Sequence, residues 1–266
     1  MSDGLNARRA GAAPALPRLR PALDALRRAA QARPQAIAAV AFAALLVLYN
    51  NVAYAREGWA FPPAWLLYPR AVLLPALAVA AALFVAKLAP ADLGLARERL
   101  TRGAATGLAL AVAAALPVAL VLAVCAAAGI DAFAFDNVNG VSGAGALYWA
   151  LLLYPLHTVV FEEVLFRGVL QGLAVRAFRA GPGIALTAAA FALWHVVLDY
   201  QVLGEATVSG QPALFVLFQL VVLAAIFAGG LLLGWLRERT GSLLAPVAFH
   251  YGFLTLLAGT VFLSAQ

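Results

Sequence analysis

The chain has 266 residues, of which 65% are hydrophobic and 11% are charged, and its mean hydropathy is +0.93. A water-soluble globule of this length cannot bury so many apolar side chains, so the composition excludes an ordinary soluble domain and indicates that the bilayer is the solvent. The net charge is +6, and the single cysteine, Cys125, excludes a disulfide framework and a cysteine-ligated zinc site. The heavy use of Ala, Leu, Gly and Arg is typical of a GC-rich bacterial genome.

Residues 1–35 are predicted to form a basic cytoplasmic arm. Seven arginines lie in the first 33 residues, together with prolines and alanines, and this composition predicts a mobile or surface-lying segment. Beside a first membrane span, such an arm determines the topology and touches anionic lipid, so we expect the lipid bilayer as a partner and no nucleic acid. The prediction is a multi-pass protein of the inner (plasma) membrane with its N-terminus in the cytoplasm.

The remaining residues, 36–266, predict an integral membrane domain. Apolar runs long enough to cross ~30 Å of hydrocarbon recur along it. The fourth run is too long for one straight crossing, so it tilts, kinks near Pro155 or is two helices. The predicted fold class is therefore all-α, a polytopic bundle of seven or eight transmembrane helices. The predicted spans are 36–54, 64–86, 103–129, 146–175, 184–200, 212–235 and 242–263.

The loops between these spans alternate in charge, as the positive-inside rule requires. The predicted outer loops 130–145 and 201–211 contain no Lys or Arg. Residues 90–102 are amphipathic, and we expect them to lie on the inner membrane surface. The basic residues of the predicted inner loops are Lys87, Arg97, Arg99, Arg102, Arg176, Arg179, Arg237 and Arg239.

A few ionisable residues lie deep inside the predicted spans, where such groups indicate function or a structural pair. Glu163 and Arg167 share one helical face and can pair, whereas Glu162 points ~100° away from them. His195 and His250 lie in later spans, and the span boundaries place both histidines at a depth similar to that of Glu162. The alternative is structural: one buried ion network on the first helix, or an interhelical hydrogen bond for either histidine.

A carboxylate and two imidazoles are suited to hydrolysis by activated water. Glu162 would act as the general base, one histidine would help to hold the water, and the other would donate to the oxyanion. We expect this form, which needs no cofactor. The alternative is a zinc-dependent metalloprotease, because Glu162, His195 and His250 also make an acceptable His2Glu zinc set.

At these residues the chain resembles the CPBP family of intramembrane glutamic proteases, the CAAX-processing and Abi-type enzymes. The family has three motifs, which are EExxxR, FxxxH and a final histidine followed four residues later by Asn or a similar polar residue. The resemblance covers a catalytic core at about 146–263. The matching residues are Glu162, Glu163 and Arg167 for the first motif, Phe191 and His195 for the second, and His250 for the third.

This resemblance implies an endopeptidase that cleaves a membrane-associated peptide or protein near its C-terminus or in a membrane-proximal segment. It implies that Glu162 and His195 activate the water and that His250 helps to form the oxyanion hole. Glu163 and Arg167 would be supporting groups. The sequence names neither the substrate nor the oligomeric state.

One position departs from the family pattern. Leu254 stands four residues after His250, where a polar side chain is expected. Either Thr255 or a backbone group replaces that side chain, or the oxyanion hole is weakened, or activity has been lost. The last case keeps open a non-catalytic immunity, scaffold or transport protein that uses the buried polar cluster for packing or proton movement.

Two further polar residues lie near the motifs. His157 is five residues before Glu162, ~140° away on an α-helix, and is interpreted as a capping or interface residue. Asp199 is four residues after His195, so it either orients that imidazole or is the polar outer end of the span.

Overall fold

The protein is helical throughout the part that the computed structural model describes, with no strand in that part. The predicted outer loop at 130–145 lies largely outside it, as do residues 1–15 of the arm and 149–154 of the fourth span. The described residues are 16–55, 64–128, 145, 148, 155–204 and 210–264.

Seven helical units make up the described residues, which confirms the predicted all-α bundle of seven or eight helices. Helix α4, residues 155–178, is continuous but includes two π-helical stretches, Pro155–Val160 and Val164–Leu170. Helices α5, Ala180–Trp194, and α6, Val196–Gly204, count as one unit because only His195 separates them. The other bounds are α1 Leu16–Ala55, α2 Ala64–Phe84, α3 Arg97–Ala127, α7 Pro212–Thr240 and α8 Leu244–Ser264.

Four stretches of the described helices are long and apolar enough to cross a membrane. Two further apolar helices, Ala71–Phe84 and Leu244–Leu257, are shorter. Large apolar side chains cover the outer faces of α3 and α7, where lipid and not water suits them. The chain is therefore a multi-pass membrane protein. The four stretches are Pro34–Ala53, Arg97–Cys125, Ala180–Gly204 and Pro212–Thr240.

Helix α1 begins well before the predicted first span. It starts at Leu16, inside the segment predicted as an arm, and continues without a break to Ala55. Pro17 falls in its first turn, where a backbone N–H would have no helical partner. The backbone of residues 16–35 is therefore an extension of the first membrane helix.

Residues 90–102 begin with a turn that packs on the protein. Pro90–Leu93 forms a 3-10 turn whose Leu93 is fully buried in the protein. The next residue, Gly94, has φ +74 and accepts a hydrogen bond from the Leu243 amide at 2.8 Å. Leu93 therefore belongs to the same buried core as residues of α4, and the Gly94 carbonyl is joined to the residue that precedes α8.

The basic loops predicted to share one side of the membrane meet at one end of the bundle. Arg176 Nη1 donates to the Lys87 carbonyl at 2.9 Å. Arg237 donates to the Asp92 carbonyl, and its side chain is almost fully buried. The loops after α2, α4 and α7 are thus joined to one another.

Small residues let α3 and α8 approach closely. Gly103, Gly107 and Ala111 recur every fourth residue and form a smooth stripe on α3. A Cβ on Gly107 would collide with the Ala245 carbonyl oxygen, which is a backbone atom of α8, so no larger residue fits without moving α8. This contact fixes the position of the helix that carries His250.

Candidate active site

Helix α4 carries the first motif through the centre of the bundle. Glu163 and Arg167 are fully buried, and Glu162 is 7% exposed. Arg167 Nη1 donates to Glu163 Oε1 at 3.0 Å, as their spacing predicts. The guanidinium carbon of Arg167 lies 4.1 Å from the centroid of the Phe191 ring, so the arginine also makes a cation–π contact. Glu162 takes no part in this ion pair.

Helix α8 joins the same cluster through its histidine. His250 Nδ1 lies 2.8 Å from Glu163 Oε1, the oxygen that also accepts from Arg167. Since a carboxylate oxygen only accepts, His250 Nδ1 is the donor. Glu163 therefore connects two helices, and the sequence had predicted only its contact with Arg167.

His195 lies at the break between α5 and α6. Its backbone has φ −90 and ψ −5, outside the regular helical values on either side. Its Nδ1 atom lies 2.8 Å from the Phe191 carbonyl oxygen, and its ring packs edge-on against the Phe191 ring. A carbonyl accepts only, so Nδ1 carries the proton and Nε2 of the neutral ring has the lone pair. The FxxxH spacing thus orients the imidazole.

The two groups predicted to activate water face each other. His195 Nε2 lies 4.0 Å from Glu162 Oε1. This separation is too long for a direct hydrogen bond but suits one water molecule that bridges both atoms. Glu162 Oε2 is buried and accepts no hydrogen bond from the described residues.

These side chains line one cavity of about 690 Å³, within the usual ~300–1,000 Å³ of ligand sites. Its wall is mainly apolar and comes from α1, α4, α5, α6, α7 and α8. Glu162, His195 and His250 supply its ionisable groups together with His157. The other lining residues include Asn50, Phe161, Phe191, Trp194, Leu198, Val222, Ile226, Gly229, Leu233, Phe249, Phe253 and Leu254.

Residues 144–256 match the family model described as Type II CAAX prenyl endopeptidase Rce1-like. Over these residues the chain is similar to the Rce1-like family. This is a CAAX-type intramembrane protease family, whose members are peptide hydrolases. The comparisons with curated proteins and with solved structures give no match. The Rce1-like region includes the five predicted site residues, and its bounds are close to those of the predicted catalytic core.

The structure places His157 in the wall of the cavity. A π-helical turn bonds residue i to i+5, so the π stretch Pro155–Val160 brings residues five apart towards the same face. His157 therefore lines the cavity with Glu162, although α-helical geometry places them ~140° apart. A local change of helix type cannot be read from hydropathy.

Asp199 does not orient His195 through a hydrogen bond. Its amide donates to the His195 carbonyl at 2.8 Å, and its Oδ2 is buried without a hydrogen-bond partner among the described residues. His195 Nδ1 donates to the Phe191 carbonyl instead.

Leu254 lines the cavity beside His250 in the Rce1-like region. Thr255, the predicted replacement for a polar residue at this position, is not among the cavity-lining residues, and its hydroxyl is buried without a partner within the described chain. The side-chain donor of the third family motif is therefore not supplied by Thr255.

Glu162, His195 and His250 are not grouped as one set of metal ligands in this structure. Among the described residues, no three His, Cys, Asp or Glu side chains are grouped so that they could hold a metal ion. The two imidazoles instead face different carboxylates, with His195 opposite Glu162 and His250 bonded to Glu163. A zinc ion needs its ligands at ~2.0–2.2 Å from one common point.

Proposed function

We propose that the protein is an intramembrane endopeptidase in which Glu162 and His195 activate a water molecule without a metal. The observation that carries this proposal is the 4.0 Å separation of Glu162 Oε1 and His195 Nε2 in the wall of the cavity. Both atoms accept hydrogen bonds, so a water between them donates one proton to each. Its lone pair is then directed away from both and towards a substrate carbonyl.

The reaction follows general acid–base hydrolysis. Glu162 takes a proton from the water while the water oxygen bonds to the carbonyl carbon of the substrate, and a tetrahedral oxyanion forms. Glu162 then returns that proton to the amide nitrogen as the C–N bond breaks. Because Arg167 is bonded to Glu163, its charge does not neutralise Glu162 directly.

His250 is the proposed oxyanion donor. Its Nδ1 is engaged with Glu163, so Nε2 is the nitrogen available to a substrate. That nitrogen donates only when the ring carries both protons. Glu163 and Arg167 are therefore supporting groups that hold His250 in place.

We propose an apolar, membrane-associated substrate that is cleaved near its C-terminus or in a membrane-proximal segment. The cavity lies between membrane helices and is mainly apolar, which suits a segment that arrives from the bilayer. We also propose an inner (plasma) membrane location with a cytoplasmic N-terminus. The cluster of basic loops at one end of the bundle supports this orientation.

The test is peptide cleavage by the purified protein in detergent. Two quenched fluorescent probes are used, one with an S-farnesyl cysteine followed by three residues and one with an unmodified apolar C-terminal tail. Glu162→Gln and His195→Asn should each lower kcat at least ~100-fold, while the exposed Glu98→Gln is the matched control and should not. Wild-type rates in Glu162→Gln would reject the mechanism. Failure of the wild-type protein to cleave either probe would favour the non-catalytic alternative.

A further inference from the structure

The helix break at His195 leaves backbone groups that a continuous helix would pair. In a membrane bundle, an unpaired backbone N–H or C=O is costly because lipid offers no hydrogen bond. Around this break, the carbonyls of Leu193, Trp194 and Val196 and the amide of Val197 are all bonded to side chains.

Asn51 takes the place of one backbone hydrogen bond. Its Nδ2 donates to the Leu193 carbonyl at 2.8 Å, and its Oδ1 accepts from the Val197 amide at 2.9 Å. In an uninterrupted α-helix, the Val197 amide would donate to the Leu193 carbonyl directly. The Asn51 amide is therefore inserted into the opened turn that contains His195.

Two further amides hold the same turn. Asn50 Nδ2 donates to the Trp194 carbonyl at 2.8 Å, and Asn50 is buried in the cavity wall. Gln219 Nε2 donates to the Val196 carbonyl at 3.1 Å from α7. Asn50, Asn51 and Gln219, here called the amide clamp, thus bond residues on both sides of His195 from two neighbouring helices.

We propose that the amide clamp positions His195 for catalysis. The break sets the direction in which the imidazole leaves the backbone, and the Phe191 carbonyl then fixes its rotation. A displaced break would change the 4.0 Å separation of His195 Nε2 and Glu162 Oε1, on which the water site depends. Asn50 and Asn51 lie on α1, outside the Rce1-like match, so a helix that precedes the matched region contributes to its site.

This role rests on the proposed function, but the position of His195 can be measured without any cleavage. The chain has three histidines, so NMR of the protein with isotope-labelled histidine gives three sets of imidazole signals. Single His→Gln variants assign each set to its residue. In Asn51→Leu, we expect the His195 ring signals to shift and the His250 signals to stay in place. His250 lies on α8 and is held by Glu163 of α4, and neither helix carries the clamp. We also expect kcat to fall ~10- to 100-fold with little change in KM.

Gln171→Leu is the matched control. Gln171 is a fully buried amide on α4, away from the helix break at His195, and it donates to the Gly234 carbonyl at 2.9 Å. Its removal also deletes an interhelical amide bond, but it should leave the His195 signals in place. Asn50→Leu, which deletes one hydrogen bond, serves where Asn51→Leu does not fold.

Unchanged His195 signals in the folded clamp variants would overturn the positioning role. The same conclusion follows if the clamp variants and Gln171→Leu shift the signals of all three histidines alike, because that pattern means that the whole helix bundle is loosened. A selective His195 shift in a protein that cleaves neither probe would support the clamp while rejecting the proposed peptidase.

Discussion

The Nδ1 atom of His250 lies 2.8 Å from Oε1 of Glu163, and this contact joins the last helix to the glutamate pair. The same oxygen holds the buried Arg167. Replacement of Glu163 by Gln would leave the arginine charge unpaired inside the bundle, which costs ~3–5 kcal/mol. We expect Glu163→Gln to lower the thermal unfolding temperature in detergent and to abolish cleavage.

The double variant Glu163→Gln with Arg167→Met separates stability from activity. Both charges are then absent, and neutral replacement of a buried pair is often without net cost. We expect the unfolding temperature to return towards wild type, while kcat stays low because His250 still lacks its carboxylate. Full recovery of kcat would show that His250 does not act through Glu163.

The spacing of charged residues predicted part of this cluster from the sequence. Glu163 and Arg167 are four apart on one helix, so local geometry is sufficient to pair them. Contact between His250 and Glu163 depends on how α8 packs against α3 and α4, and no local pattern specifies it. The sequence therefore indicated which ionisable residues belong together, but not that each imidazole faces a different carboxylate.

The amide clamp was missed for a related reason. Asn50 and Asn51 interrupt an apolar run, and hydropathy interprets such a pair as the end of a span. Their partners are backbone groups exposed by the break at His195, more than a hundred residues later. Two adjacent amides at a span end are the signal that could have indicated an interhelical contact.

Leu254 offers a gain-of-function test of the oxyanion hole. It lines the cavity where the family motif has a polar residue. Since one oxyanion donor is worth ~100- to 1,000-fold in kcat, Leu254→Asn should raise kcat by ~10-fold or more. Leu198→Asn, on another part of the cavity wall, is the matched control and should not raise kcat. If both variants have the kcat of the wild type, His250 and the backbone already supply enough donors for the oxyanion.

A chelator separates the metal-free mechanism from the zinc alternative. Cleavage of the fluorescent probes by the purified protein should be unchanged by 1,10-phenanthroline, because Glu162 and His195 need only water between them. Loss of turnover that added zinc restores would reject the metal-free form. A thermolysin-type zinc protease inhibited in the same buffer is the control for the chelator.

Gly229 allows the cavity to be narrowed without damage to the fold. It lines the cavity, and a Cβ added there would meet no atom within 4 Å. Gly229→Leu should therefore fold normally, project its side chain into the substrate space and lower kcat/KM at least ~10-fold. Gly181→Leu is the matched control, because Gly181 also has open space for a Cβ but does not line the cavity. Equal kcat/KM in both variants, measured on either probe, would mean that substrate does not occupy the space beside Gly229.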